Sequence, residues 1–230
     1  MPRGTLGGMR ATIDDYMRHL DGALIGPGRL KQDMLTEARH GLVDAVEGYR
    51  EAGLPESEAE RQAVAEFGTV VELAPAYQAE LAMGAARQLA LRLALVPVLL
   101  SQFAQLMWWR APWTASGPFP PDAYVFASDV QDHLGYVVAL MALSAYGLMM
   151  WSARRRGPVR RGLAKAVGVG AFALVAVNSA GGFVLYVWSV VLWNAALTWP
   201  PMLLGGGAIM VAYWWLGRSA ATCVAAARLA

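Results

Sequence analysis

Four stretches of this chain are long and apolar enough that water is a poor solvent for them. They run from about Gln88 to Trp109 (QLALRLALVPVLLSQFAQLMWW), His133 to Trp151, Ala166 to Trp188 and Trp199 to Leu216. A helix needs about 20 mostly apolar residues to cross the hydrocarbon core of a bilayer. Each stretch comes close to that, and none carries an Asp or Glu. The region Ala166–Leu216 is too long for one crossing, and Pro200 and Pro201 inside it suit the first turn of a new helix. Four transmembrane helices follow as the expectation, with the lipid bilayer as the first partner. All nine tryptophans lie beyond residue 107, and most stand at the ends of these stretches: Trp108, Trp109, Trp151, Trp188, Trp199, Trp214 and Trp215. Indole rings collect at the headgroup level, so this placement suits real spans.

The links between spans set an orientation. The second link holds Arg154, Arg155, Arg156, Arg160, Arg161 and Lys165 with no acid, while Arg110–Asp132 has one base and three acids. Short basic links stay in the cytoplasm. The basic link is therefore expected inside, touching anionic headgroups rather than nucleic acid, and four crossings put both termini inside as well. Arg87 and Arg92 can snorkel from the start of the first span. Pro97 is expected to bend it. The polar residues within the spans, Gln102, Gln105, Ser144, Asn178 and Ser179, read as hydrogen-bonding groups between helices. Small residues such as Gly168, Gly170, Gly181 and Gly182 would allow close approach. The absence of carboxylates from the spans argues against a proton-coupled transporter or ion pump.

The chain before these spans is different in kind. Met1–Met83 holds 8 basic and 14 acidic residues, a net −6, whereas the rest has 11 basic and 3 acidic, a net +8. Its pattern is helical throughout, with no alternating strand signature. One helix is expected to begin at Thr12, with Asp15 completing a near capping box. A second, from Gly28, carries Leu30, Met34, Ala38, Leu42, Ala45, Val46 and Tyr49 on one face and ends at Gly53. A third covers about Pro55 to Phe67 and ends at Gly68. Since Pro55 offers no capping side chain, Ser57 is expected to start its regular part. Thr69–Glu72 reads as the capping box of a fourth helix that runs toward the membrane. The fold class expected is all-α, with a small cytoplasmic helical domain (11–83) followed by a four-helix transmembrane bundle (88–217).

Nothing in the sequence points to chemistry. Cys223 is the sole cysteine, His19, His40 and His133 are far apart, and no metal-ligand spacing, nucleophile–base set or phosphate-binding glycine loop occurs. The first 25 residues lack the apolar core of a secretory signal. No catalytic, cofactor or metal site is expected, and the abundance of Ala, Gly and Arg suits a GC-rich bacterial genome.

The segment EAGLPESEAERQAVAEFGTVVELA carries a recognisable pattern in Gly53, Leu54, Glu58, Ala59, Ala63, Phe67, Gly68, Glu72, Leu73 and Ala74. With the two helices before it, it resembles the HAAS signalling domain and the similar permease prefix domain of bacterial membrane proteins, over roughly residues 11 to 80. Pro55 stands where that pattern often has Ser or Thr, and Thr69-Val70 where it often has Asp-Pro. The resemblance implies an accessory membrane protein whose cytoplasmic domain docks a regulator, with a PadR-like transcription regulator as the expected partner. Permease prefix domains also precede ABC exporter modules, so a non-catalytic membrane subunit or reduced permease beside an ABC ATPase stays open.

Overall fold

The computed structural model describes residues 5–108, 119–154, 161–193 and 199–229. Among these the protein is all-helical: α1 (Thr5–Ala23), α2 (Gly28–Glu51), α3 (Glu56–Phe67), α4 (Val70–Trp108), α5 (Asp122–Arg154), α6 (Arg161–Trp193) and α7 (Pro200–Leu229). The chain divides into two compact units, Met1–Ala85 with Thr222–Ala230, and Ala86–Ala221.

In the first unit, Ile13, Tyr16, Met17, Leu20 and Leu24 of α1 and its exit meet Ala38, Leu42 and Val46 of α2. The spacing of three and four residues puts each set on one helical face. Ala59 and Ala63 of α3 are fully enclosed, and their small side chains let α3 lie close against α1 and α2. Tyr16 ties α1 to the end of α3: its hydroxyl donates to the Gly68 carbonyl at 3.0 Å, and its ring meets Phe67 edge-on at 5.9 Å. The unit's second polar tie is Gln78. Its Oε1 accepts from the Ile25 N–H at 2.9 Å, and its Nε2 donates to the carbonyls of Ile25 at 2.7 Å and Ala226 at 2.8 Å. The side chain is only 2% exposed yet fully hydrogen-bonded, as a buried amide must be.

Helix boundaries follow local chemistry. The end of α2 is a Schellman motif: Gly53 takes φ 93°, Leu54 N–H bonds the Tyr49 carbonyl and Gly53 N–H the Arg50 carbonyl. Gly68, at φ 97°, separates α3 from α4. Two starts differ from expectation. The helical backbone of α1 continues back to Thr5, through Gly7 and Gly8. And α3 starts at Glu56, not Ser57: the Pro55 carbonyl receives the N–H groups of Glu58 and Ala59, so proline opens the helix through its backbone, without a side-chain cap.

The second unit is built from long helices. Three are long and apolar enough to cross a membrane, with spans in Val70–Leu106, Asp122–Ser152 and Lys165–Trp193. Less than a third of each apolar stretch (28%, 28% and 22%) is buried, so most of these side chains face outward, as lipid permits and water does not. The remaining long helix, α7, is not among the three; Gly205–Gly207, Tyr213 and the charge of Arg218 dilute its aliphatic content. The helices overrun the apolar stretches that announce them. α5 begins at Asp122, so residues 122–132, expected in an outer loop, are helical. Pro121 supplies the opening carbonyl to Tyr124 and Val125, and no breaker follows. Asp129 and Asp132 therefore lie on the same helix as the apolar run, in the part that precedes it.

Candidate functional site

In the first unit, the residues of the family-like pattern serve packing and helix ends. Leu54 and Phe67 are packed against the core, Ala59 is enclosed, Gly53 and Gly68 hold positive φ, and Glu58 is exposed. Glu72 accepts from the Thr69 N–H at 2.9 Å and from its hydroxyl at 2.8 Å, so half of the capping box forms, with the threonine hydroxyl turned toward the carboxylate.

One line along α2 is rich in acids. Asp33, Glu37, Asp44, Glu47 and Glu51 are all exposed. At 100° per residue they fall within about 40° of a single line along the helix, opposite Ala38, Leu42 and Val46. His40 and the exposed Arg29 lie on the same line. None of the five carboxylates is ion-paired among the described residues, whereas Asp14 pairs with Arg39, Asp15 with Arg18 and Asp21 with Lys31. Among the described residues one acid is internal: Glu60, 3% exposed, accepts the Ile13 N–H at 3.2 Å. Burial pushes its carboxyl above the usual 4.5. The Ile13 bond opposes that rise, and the nearby charges of Glu56 and Asp14 add to it.

In the second unit, a cavity of about 1460 Å³ is lined by residues of α4, α5, α6 and α7. A polar network forms part of its wall. Gln131 Nε2 donates to Asn178 Oδ1 at 2.8 Å and to its carbonyl at 3.0 Å, and the Tyr213 hydroxyl donates to the same Oδ1. Asn178 is 4% exposed, and its Nδ2 has no hydrogen-bond partner among the described residues. Gly181 makes the approach possible: a Cβ there would stand 2.3 Å from Gln131 Oε1. Tyr124 and Ser189 bond at 2.8 Å nearby, with the Trp188 and Trp193 rings edge-on to the tyrosine.

Of the residues expected to hydrogen-bond between spans, Asn178 joins this network, Gln102 donates to the Tyr136 hydroxyl at 3.0 Å, and Gln105 lines the cavity. Ser144 and Ser179 instead bond carbonyls of their own helices, those of Leu140 and Val175. Arg92 donates to Ser219 at 2.6 Å and lies over the Trp215 ring at 4.4 Å. In the basic link, Arg154 and Lys165 are exposed and Arg161 opens α6, while Arg155, Arg156 and Arg160 lie outside the described residues. Sequence reading missed Gln131, Asp132 and Tyr213. A signal was present: Ser128, Gln131, Asp132 and Gly135 have the i, i+3, i+4, i+7 spacing of one helical face. It shows only once the helix is extended upstream of its apolar part. Compared with protein-family models, curated proteins and solved structures, the chain gives no match.

Proposed function

We propose that this is a multi-pass membrane protein of the bacterial plasma membrane whose N-terminal helical unit, of the HAAS and permease prefix type, docks a regulatory protein on the cytoplasmic side. The observation that carries the reading is the unpaired acidic line on α2. Five carboxylates with no ion-pair partner among the described residues outnumber the one arginine, Arg29, on that line, and the net negative field suits a basic protein surface such as that of a PadR-like DNA-binding regulator. The protein itself binds no nucleic acid in this reading and performs no catalysis.

The topology has its own support. Cys223 and Ala226, near the end of α7, are buried in the same compact unit as α1–α3, and the Ala226 carbonyl is held by Gln78. A chain that leaves this unit along α4 and returns to it along α7 crosses the membrane an even number of times. With three strongly apolar helices, α7 becomes the fourth crossing, and both termini lie on the side of the basic link.

The cavity of the second unit favours a second reading, a reduced permease or membrane subunit working with an ABC ATPase, since transport needs a lined space. Affinity capture separates the two. Full-length protein in detergent is compared with a form whose five α2 carboxylates are changed to the corresponding amides. The docking reading expects a DNA-binding regulator bound by the first, released by salt and lost from the second. An ATPase held equally by both forms would move the function to the membrane half.

A further inference from the structure

Among the described residues Asp132 is the one carboxylate that lines the cavity of the second unit, and no Lys, Arg or His lines it. Among the described residues no basic side chain forms an ion pair with it. His133, next in the chain, is exposed and turned to its own helix, with Nδ1 2.6 Å from the Asp129 carbonyl. An ionisable side chain inside a membrane helix is costly and is retained where it meets a pathway or a ligand.

The rest of the wall narrows the ligand. Tyr124, Tyr186, Trp193, Tyr213 and Trp214 contribute aromatic surface, whose ring faces attract positive charge. The volume, about 1460 Å³, exceeds the roughly 300–1000 Å³ of ordinary small-molecule pockets, so a bulky guest fits and a bare metal ion does not explain it. Among the described residues no three metal-ligating side chains gather anywhere. The lining residues all come from the halves of the helices remote from the Arg154–Lys165 link: 97–105, 119–135, 178–193 and 202–214. In the topology above that is the outer half of the membrane.

We propose that this cavity binds a lipophilic organic cation, with Asp132 as its counter-ion and the aromatic wall around its apolar body. A zwitterionic lipid headgroup is a poorer guest, because its phosphate would find no basic side chain among the described lining residues. The proposal goes beyond the docking role and needs no partner protein for its test.

Tetraphenylphosphonium and tetraphenylborate have nearly the same shape and opposite charge. Calorimetric titration of the full chain in a neutral detergent, with a detergent blank, should show saturable binding of the phosphonium and none of the borate. Asp132→Asn should weaken phosphonium binding at least tenfold, while Asp129→Asn, on a residue outside the lining, should leave it unchanged. Equal binding of both ions by the wild type would reduce the cavity to an apolar space and overturn the proposal without any variant. An Asp132→Asn protein that binds the phosphonium within twofold of wild type would overturn it as well. Short-chain phosphatidylethanolamine should fail to displace the phosphonium; displacement would give the site to a lipid amine instead.

Discussion

Glu60 and Gln78 are both buried polar side chains in the first unit, and they differ in charge. Gln78 meets backbone groups with both ends of its amide and gives up little on leaving water. Glu60 meets one N–H and carries a carboxyl whose ionisation burial disfavours. Its folded pKa is raised above the unfolded value near 4.5, so the folded state holds the proton more tightly. The stability this gives is fully present below the unfolded value and is lost as pH rises through the raised one. Glu60→Gln keeps an oxygen to accept the Ile13 N–H and removes the titration. Thermal melts of the full chain followed by circular dichroism should show wild type losing stability relative to the variant as pH rises above the unfolded carboxylate value of 4.5. Parallel curves would mean that Glu60 ionises in the folded state as freely as in the unfolded one.

Two glycines of the first unit face opposite demands, one inside α2 and one just past its end. Gly48 sits in the helix interior, and a Cβ added there meets nothing within 4 Å. Gly53 also has open space around it but stands at φ 93°. Gly48→Ala should therefore stabilise by about 0.5–1 kcal/mol through helix propensity. Gly53→Ala should destabilise by about 1–2 kcal/mol through left-handed backbone strain alone. Denaturant midpoints of the two variants should move in opposite directions, and a shift of the same sign in both would contradict the Schellman end of α2. In the second unit the glycine at Gly181 has a different purpose: it clears the space that Gln131 occupies beside Asn178.

For the whole molecule the decisive question is how often the chain crosses the bilayer. Ser57, Arg228 and Phe119 are exposed positions, in the N-terminal unit, at the end of α7 and just before α5. With Cys223 replaced by Ala, single cysteines at these positions report sidedness to a membrane-impermeant maleimide. Four crossings require Ser57→Cys and Arg228→Cys to react only after the cytoplasmic side is opened, and Phe119→Cys to react from outside. Labelling of Arg228→Cys from outside would leave three crossings and remove α7 from the membrane.

Local rules made much of this protein legible. The 3.6-residue pattern placed Leu42 and Val46 inward on α2, Gly53 and Gly68 marked helix ends because only glycine takes positive φ without strain, and aliphatic runs announced the apolar helices. Apolar runs show where a helix can meet lipid and not where the helix stops: the helix of α5 begins at Asp122, eleven residues before its apolar run, and Asp132 lies in that extension. The partners of Gln78 and Asn178 lie up to 148 residues away, and no local rule reaches that far. What the sequence determined by itself is the class of solvent each part tolerates and the helices that solvent demands, because hydropathy and backbone propensity act residue by residue. Only the tertiary structure decided which polar side chains meet, that the end of α7 joins the first unit, and that one carboxylate lines a cavity, because those depend on the packing of helices distant in sequence.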